Sequence, residues 1–205
     1  MRERWSALCR RIGTQSDPAA LATQLETLYS HPPRAYHNLD HIAAVLAVFD
    51  QHRTRAASPD FLEFALWLHD CVYDPRANDN ELKSSDAAAQ ILRELDAPAH
   101  IDSVRSLIMA TCHNAPNLEG DAALIADIDL SILAADATTY DAYAAAIRSE
   151  YLFVPDDLFR PGRANILRAF AARERIFLTP AFQETHEAAA RLNLNRELIA
   201  LEQTA

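Results

Sequence analysis

Four junctions in which Asp, Ser or Thr stands at or just before a proline punctuate this chain: Asp17-Pro18, Ser58-Pro59, Thr179-Pro180 and the looser Asp96-Ala97-Pro98. Such a side chain accepts a hydrogen bond from the orphan amides of a helix start, and proline pre-sets the φ of the first helical residue. Each junction therefore reads as a helix start. After the first, Leu21, Leu25 and Leu28 recur at helical spacing, and Ile42, Val45, Leu46 and Phe49 do the same in the next segment. Further helices are expected near 59–70, 80–95, 98–112, 121–135, 138–152, 162–177 and 180–202. No segment shows the two-residue alternation of a strand. With only three glycines in 205 residues and half the residues hydrophobic, the composition suits helices better than turn-rich sandwiches or barrels. The expected fold is all-α, a single domain over residues 1–205 with roughly eight to ten helices.

Charge narrows the partners. Twenty-nine acidic against 19 basic residues give a net charge of −10 with no Lys/Arg-rich tract, which argues against polymeric nucleic acid as a ligand. A small phosphorylated ligand needs only a local cluster and stays open. The chain begins Met1-Arg2-Glu3-Arg4-Trp5, without the apolar run of a signal peptide, and no window approaches ~18 uninterrupted apolar residues. No membrane association and a cytoplasmic location are expected. Cys9, Cys71 and Cys112 are too few and scattered for a disulfide framework and form no C-x-x-C pair.

Three clusters carry chemistry. In Tyr36-His37-Asn38-Leu39-Asp40-His41 the two histidines are four apart and share a helix face if helix extends that far. The apolar run Phe61–Leu68 leads directly into His69-Asp70; His69 continues the stripe of Leu62, Ala65 and Leu66, and Asp70 follows Leu66 by one turn. An inward carboxylate needs a cation, a metal or several hydrogen bonds. A satisfied His–Asp pair at a helix end is the plainer alternative. In the third cluster Asp129 has Ile125 one turn before it and Ile132 and Leu133 one turn after, whereas Asp127 has poorer apolar neighbours. Helical geometry selects Asp129 as the buried acid, with capping of another helix as the alternative. Together His41, His69, Asp70 and Asp129 offer two imidazoles and two carboxylates to a divalent ion, and Mn, Fe, Co, Ni and Zn all accept such ligands. Polar loops at 73–80 and 113–117 follow histidine-bearing helices and suit the mouth of a site.

The order His, His-Asp, Asp resembles the HD superfamily of metal-dependent phosphohydrolases. Tyr36-His37-Asn38-x-x-His41 is also similar to a signature of cyclic-nucleotide phosphodiesterases. A closer resemblance, over most of the chain, is to a small group of bacterial predicted HD phosphohydrolases. It runs through Tyr36-His37-Asn38, His69-Asp70-x-x-Tyr73-Asp74, Asn80-Glu81-x-x-Ser84-Ser85, Asp127-x-Asp129-Leu130-Ser131 and Ile147-Arg148-x-Glu150-Tyr151. The resemblance implies an HD-type helical bundle, a metal on His41, His69, Asp70 and Asp129, and hydrolysis of a small phosphate ester, with nucleotides first. It further implies His37 as proton donor to the departing group, with Asp70 or Asp129 orienting the attacking water. Glu81 is a candidate acid or base, and Lys83, His113 and Arg148 are candidates to bind substrate, with Arg163 beside them; a solvated helix start, an exposed helix-terminal histidine and ordinary ion pairs explain these residues too. His31, His52, His100 and His186 have no supporting constellation. The rival readings are an HD-type di-iron oxygenase, drawing extra ligands from His113 and Asp127, and a non-catalytic nucleotide sensor.

Overall fold

The computed structural model describes residues 1–13, 18–30, 34–115 and 117–203. Asp17, His31 and Pro116 lie outside the described residues, as does the side chain of Leu21. The described residues form an all-α fold of ten α-helices and no strand: α1 (Arg2–Arg11), α2 (Pro18–Tyr29), α3 (Leu39–His52), α4 (Pro59–Leu68), α5 (Asn80–Glu94), α6 (Ile101–Ala110), α7 (Gly120–Asp129), α8 (Ala137–Glu150), α9 (Asp156–Ala171) and α10 (Pro180–Gln203). Single 3₁₀ segments occupy Arg53–Arg55, Pro98–His100 and Leu130–Ala134. None of the described helices is long and apolar enough to cross a membrane.

One core cluster draws buried residues from both ends of the chain, from Trp5 of α1 to Leu194 of α10. Helix α4 lies at its centre: every residue from Leu62 to Leu68 is buried, and the helix touches α1, α3, α5, α6 and α7. Its one buried acid, Glu63, is met by Arg4 at 2.8 Å, Arg11 at 2.7 Å and Arg53 at 2.5 Å. Those arginines also hold Asp50 and Asp60, so a shell of charge closes this side of the core.

Helix α1 was not expected from the sequence. Its apolar face is only Trp5, Leu8 and Cys9, flanked on both sides by arginines, too short a stripe to show a period; Trp5 stacks on Phe64 at 5.3 Å. Helix α9 begins at Asp156 instead of near 162 and carries Pro161 inside it. Proline removes one amide there, a loss tolerated because the residue is exposed. The helix also ends at Ala171, not near 177, because the amides of Ile176 and Phe177 turn to the Glu187 carboxylate. The expected helices at 98–112 and 121–135 each divide into an α-helix and a 3₁₀ segment.

The proline junctions work differently from a simple cap. Ser58 stands before α4, yet its side chain makes no capping bond; Asp121, in the first turn of α7, accepts the amides of Ala57 at 2.7 Å and Ser58 at 2.8 Å. At the start of α10, Asp127 accepts the amides of Leu178 and Thr179, both at 2.7 Å, and the Thr179 hydroxyl at 2.6 Å. Helix α7 is thus tied to the starts of two other helices, which fixes where its last residue, Asp129, points.

Candidate metal centre

Three helix ends converge. Asn38 caps α3, its side-chain oxygen accepting the amides of Asp40 at 2.8 Å and His41 at 3.3 Å, which places His41 in the first turn. His69 and Asp70 follow directly on the last residue of α4, and Asp129 ends α7. His41 Nε2 and His69 Nε2 are 3.1 Å apart. Asp70 Oδ2 lies 3.4 Å from the first and 3.1 Å from the second; Asp129 Oδ1 lies 3.4 and 3.3 Å from the same two nitrogens.

These spacings can be compared with what an ion requires. Ligand atoms held at about 2.1 Å from a metal stand about 3.0 Å apart at right angles and about 3.4 Å apart at the tetrahedral angle. The group His41, His69 and Asp129, whose ligand atoms all lie within 4.8 Å of one another, can hold a metal ion. Asp70 Oδ2 stands beside it as a further oxygen donor. His69 Nδ1 donates to the Leu66 carbonyl at 2.9 Å, which fixes the ring and turns Nε2 toward the cluster. The histidine side chains are buried at 3% and 1% exposure, while Asp70 and Asp129 at 14% and 16% keep the cluster reachable from outside.

Electrostatics favour a cation at this point. Burial pushes the Asp70 and Asp129 carboxyls up, but the His69 charge, with hydrogen bonds from His41 and His69, outweighs it and holds both well below the usual carboxylate range. Burial likewise pushes His69 down, and the two carboxylates reverse this and raise it well above the usual range. Asp129 has a further partner, His113 Nε2, 2.8 Å from Oδ2. His113 itself sits at φ +53°, the left-handed region a non-glycine residue adopts only under local constraint. The expectation that Asp129 is the more buried of the two acids fails: Asp127 is fully buried, because it faces away into the start of α10 and accepts three donors there, while Asp129 stays partly exposed at the cluster.

His37 is not on a helix. It precedes the Asn38 cap, so the one-turn relation to His41 expected from their spacing does not exist. Glu150, the last residue of α8, places it: Oε2 lies 2.7 Å from His37 Nδ1, and Oε1 accepts the amides of Tyr36 at 2.7 Å and His37 at 3.0 Å. Tyr73 stacks on the His37 ring at 4.1 Å and donates its hydroxyl to the same carboxylate at 2.8 Å. Burial raises the Glu150 carboxyl, and the His37 ring and the two amides more than offset it, so the group stays below its usual range. Arg34 closes the arrangement, donating to the carbonyls of His37 at 2.8 Å, Asp70 at 2.7 Å and Cys71 at 3.0 Å. The loop carrying His37 and the turn carrying Asp70 are thereby one unit.

His37, Tyr73 and Glu81 line a cavity of about 680 Å³ together with Tyr143, Tyr151 and Arg163. Three residues expected to bind substrate do not line it; His113 instead holds its ring against Asp129. Lys83 is on the exposed side of α5 and pairs with Asp79 at 2.7 Å. Arg148 is used structurally: it binds Asp156 at 2.6 Å and the carbonyls of Tyr151 and Val154, fastening the turn between α8 and α9. Arg163 does reach the cavity, with its charge matched by Glu197 at 2.8 and 3.0 Å. Glu150 and Arg34 had no role in the sequence reading. Glu150 acts across 114 residues of chain, and the only sequence trace of it is its place in the Ile147-Arg148-x-Glu150-Tyr151 motif.

Comparison with known proteins adds no relative: no family model matches the chain, and neither does any curated protein or solved structure.

Proposed function

We propose that this chain is a divalent-metal-dependent phosphohydrolase acting on small soluble phosphate esters, with nucleotides the first class to test and sugar phosphates the next. The observation that carries the reading is the convergence of the His41 and His69 imidazoles with Asp70 and Asp129, each nitrogen within 3.4 Å of an oxygen of either carboxylate, beside a cavity that His37 lines. A divalent ion held by those residues would neutralise phosphoryl charge and activate water. Two carboxylates balance the charge of such an ion.

The chain's own residues supply the rest. His37 Nδ1 is committed to Glu150, so proton exchange with a substrate runs through Nε2, where a general acid for the departing alkoxide is needed. Asp70, engaged in the cluster through Oδ2, keeps an oxygen suited to orient water, whereas both oxygens of Asp129 are taken, Oδ1 in the cluster and Oδ2 by His113. Glu81, at the cavity wall, is a second candidate for proton transfer. The resemblance to HD phosphohydrolases supports the same chemistry on the same residues. The oxygenase alternative loses one of its extra ligands, because Asp127 is occupied at the start of α10.

Elemental analysis of protein purified without an affinity tag, then a phosphate-release screen with added Mn, Co or Ni, tests the proposal. Release should exceed that of Asp70→Ala and vanish on chelation. No excess over Asp70→Ala across a broad panel overturns it.

A further inference from the structure

His113 also lines a second cavity, of about 780 Å³, and Asn114 belongs to the walls of both cavities. Two arginines face this second space, Arg173 and Arg175. Most arginines on this acidic chain have a carboxylate partner, as Arg163 has Glu197 and Arg191 has Glu187. These two have none among the described residues. Arg173 stacks on Phe170 at 4.3 Å and donates once, from Nη2 to the His113 carbonyl. Arg175 donates to the neutral side chain of Gln183, whose own amide nitrogen is held by the carbonyls of Phe177 and Leu178. Burial lowers the pKa of Arg173, with no acid to offset it.

A guanidinium has five donors in a planar fork suited to phosphate or carboxylate, and stacking on a ring occupies only its face. Most of the donors of Arg173 are therefore unused, in a partly desolvated position where an unpaired charge is costly. We propose that Arg173 and Arg175 form an oxyanion subsite, for a phosphate or carboxylate group, next to the metal centre. A single residue joins the two: the His113 carbonyl accepts from Arg173, and the His113 ring lies 2.8 Å from Asp129. Glu119 and Glu174 line the same cavity without pairing to either arginine. Their charge disfavours an anion that reaches only one guanidinium and favours one that engages both. The oxyanion is either a second anionic group of the substrate or a free ion such as released phosphate; only this choice of source rests on the phosphohydrolase reading.

The test uses the full chain, stripped of metal by chelation, titrated with inorganic pyrophosphate by calorimetry at low ionic strength. Wild type should bind, and Arg173→Gln and Arg175→Gln should each weaken binding at least ~10-fold, the loss of one charge-assisted contact. Arg168→Gln, which removes an exposed pair with Glu202, serves as the control and should change nothing. Arg175 touches only a side chain at the surface, so its variant should fold. Absence of binding in wild type, or equal binding in Arg175→Gln, overturns the subsite. In metal-loaded protein, a fall in kcat/KM of Arg175→Gln confined to a phosphate monoester that bears a carboxylate, against its carboxamide counterpart, assigns the oxyanion to the substrate. Unchanged kcat/KM on both esters with lost inhibition by free phosphate assigns it to a free ion. If no ester turns over, the phosphohydrolase reading fails while the titration still decides the subsite.

Discussion

Glu150 Oε2 stands 2.7 Å from His37 Nδ1, while the other oxygen of the same carboxylate accepts two consecutive backbone amides. One buried side chain thus sets both the path of the 36–37 backbone and the orientation of the His37 ring. Glu150→Gln keeps the size and loses the charge. The expected result is full metal content with turnover lowered ~10–100-fold, the range for a carboxylate that orients a histidine. Stability should respond as well. The Glu150 carboxyl is depressed in the folded chain, so its contribution is fully present above the ordinary range of about 4.3 and is lost as pH falls through the lower folded value. Acid denaturation of Glu150→Gln should therefore show a shallower fall in stability below about pH 4.3 than wild type. Identical acid profiles would remove the electrostatic part of this account.

Asp127 and Asp129 lie on the same helix and serve different ends of the molecule. Asp129→Asn should sharply reduce bound metal, since Asp129 Oδ1 is 3.4 and 3.3 Å from the two imidazole nitrogens. Asp127→Asn should keep its metal and lose roughly 1–2 kcal/mol of stability, because the carboxylate takes three donors at the start of α10. Metal content by elemental analysis and midpoints from urea unfolding separate the two effects. An empty Asp127→Asn with a metal-loaded Asp129→Asn would reverse the assignment.

Glu63 is the stability counterpart of the metal cluster, an acid at 2% side-chain exposure surrounded by Arg4, Arg11 and Arg53. Glu63→Ala should cost roughly 2–3 kcal/mol, because three guanidinium groups lose the buried carboxylate between them while Asp50 and Asp60 still pair with them at the rim. Arg11→Ala, at the 40% exposed rim, should cost less than about 1 kcal/mol. Equal losses in urea unfolding would mean that the charges act as separate surface pairs.

The parts of the site that sequence reveals are those bound to helical periodicity. His69, Asp70 and Asp129 interrupt apolar stripes, and an acid in such a stripe must face something that compensates it. Asn38 marks where periodicity stops being informative: it caps α3, so His37 falls outside the helix and its position depends on a partner 113 residues away. Long-range pairing of this kind leaves no local pattern. Arg148 shows the reverse error. Its charge suggested phosphate, but the carbonyls of Tyr151 and Val154 and the Asp156 carboxylate claim it, and only the path of the α8–α9 turn discloses that. Helix α1 escaped notice because three buried residues among four arginines make a weak period.

His37 gives the most direct test of the chemistry. With Nδ1 held by Glu150, only Nε2 can pass a proton to a departing group, and the ring lies outside the ligand set, its centroid 6.1 Å from that of His41. His37→Ala should therefore retain its metal and lose turnover by ~10²–10⁴-fold on an alkyl phosphate, the usual contribution of a general acid. Nitrophenolate leaves without needing a proton, so the loss on a nitrophenyl phosphate should be much smaller. Steady-state rates for the two esters, measured on wild type and variant at matched metal content, give the comparison. Equal losses on both esters would mean that His37 orients the substrate instead of protonating it, and metal loss in the variant would place His37 among the ligands.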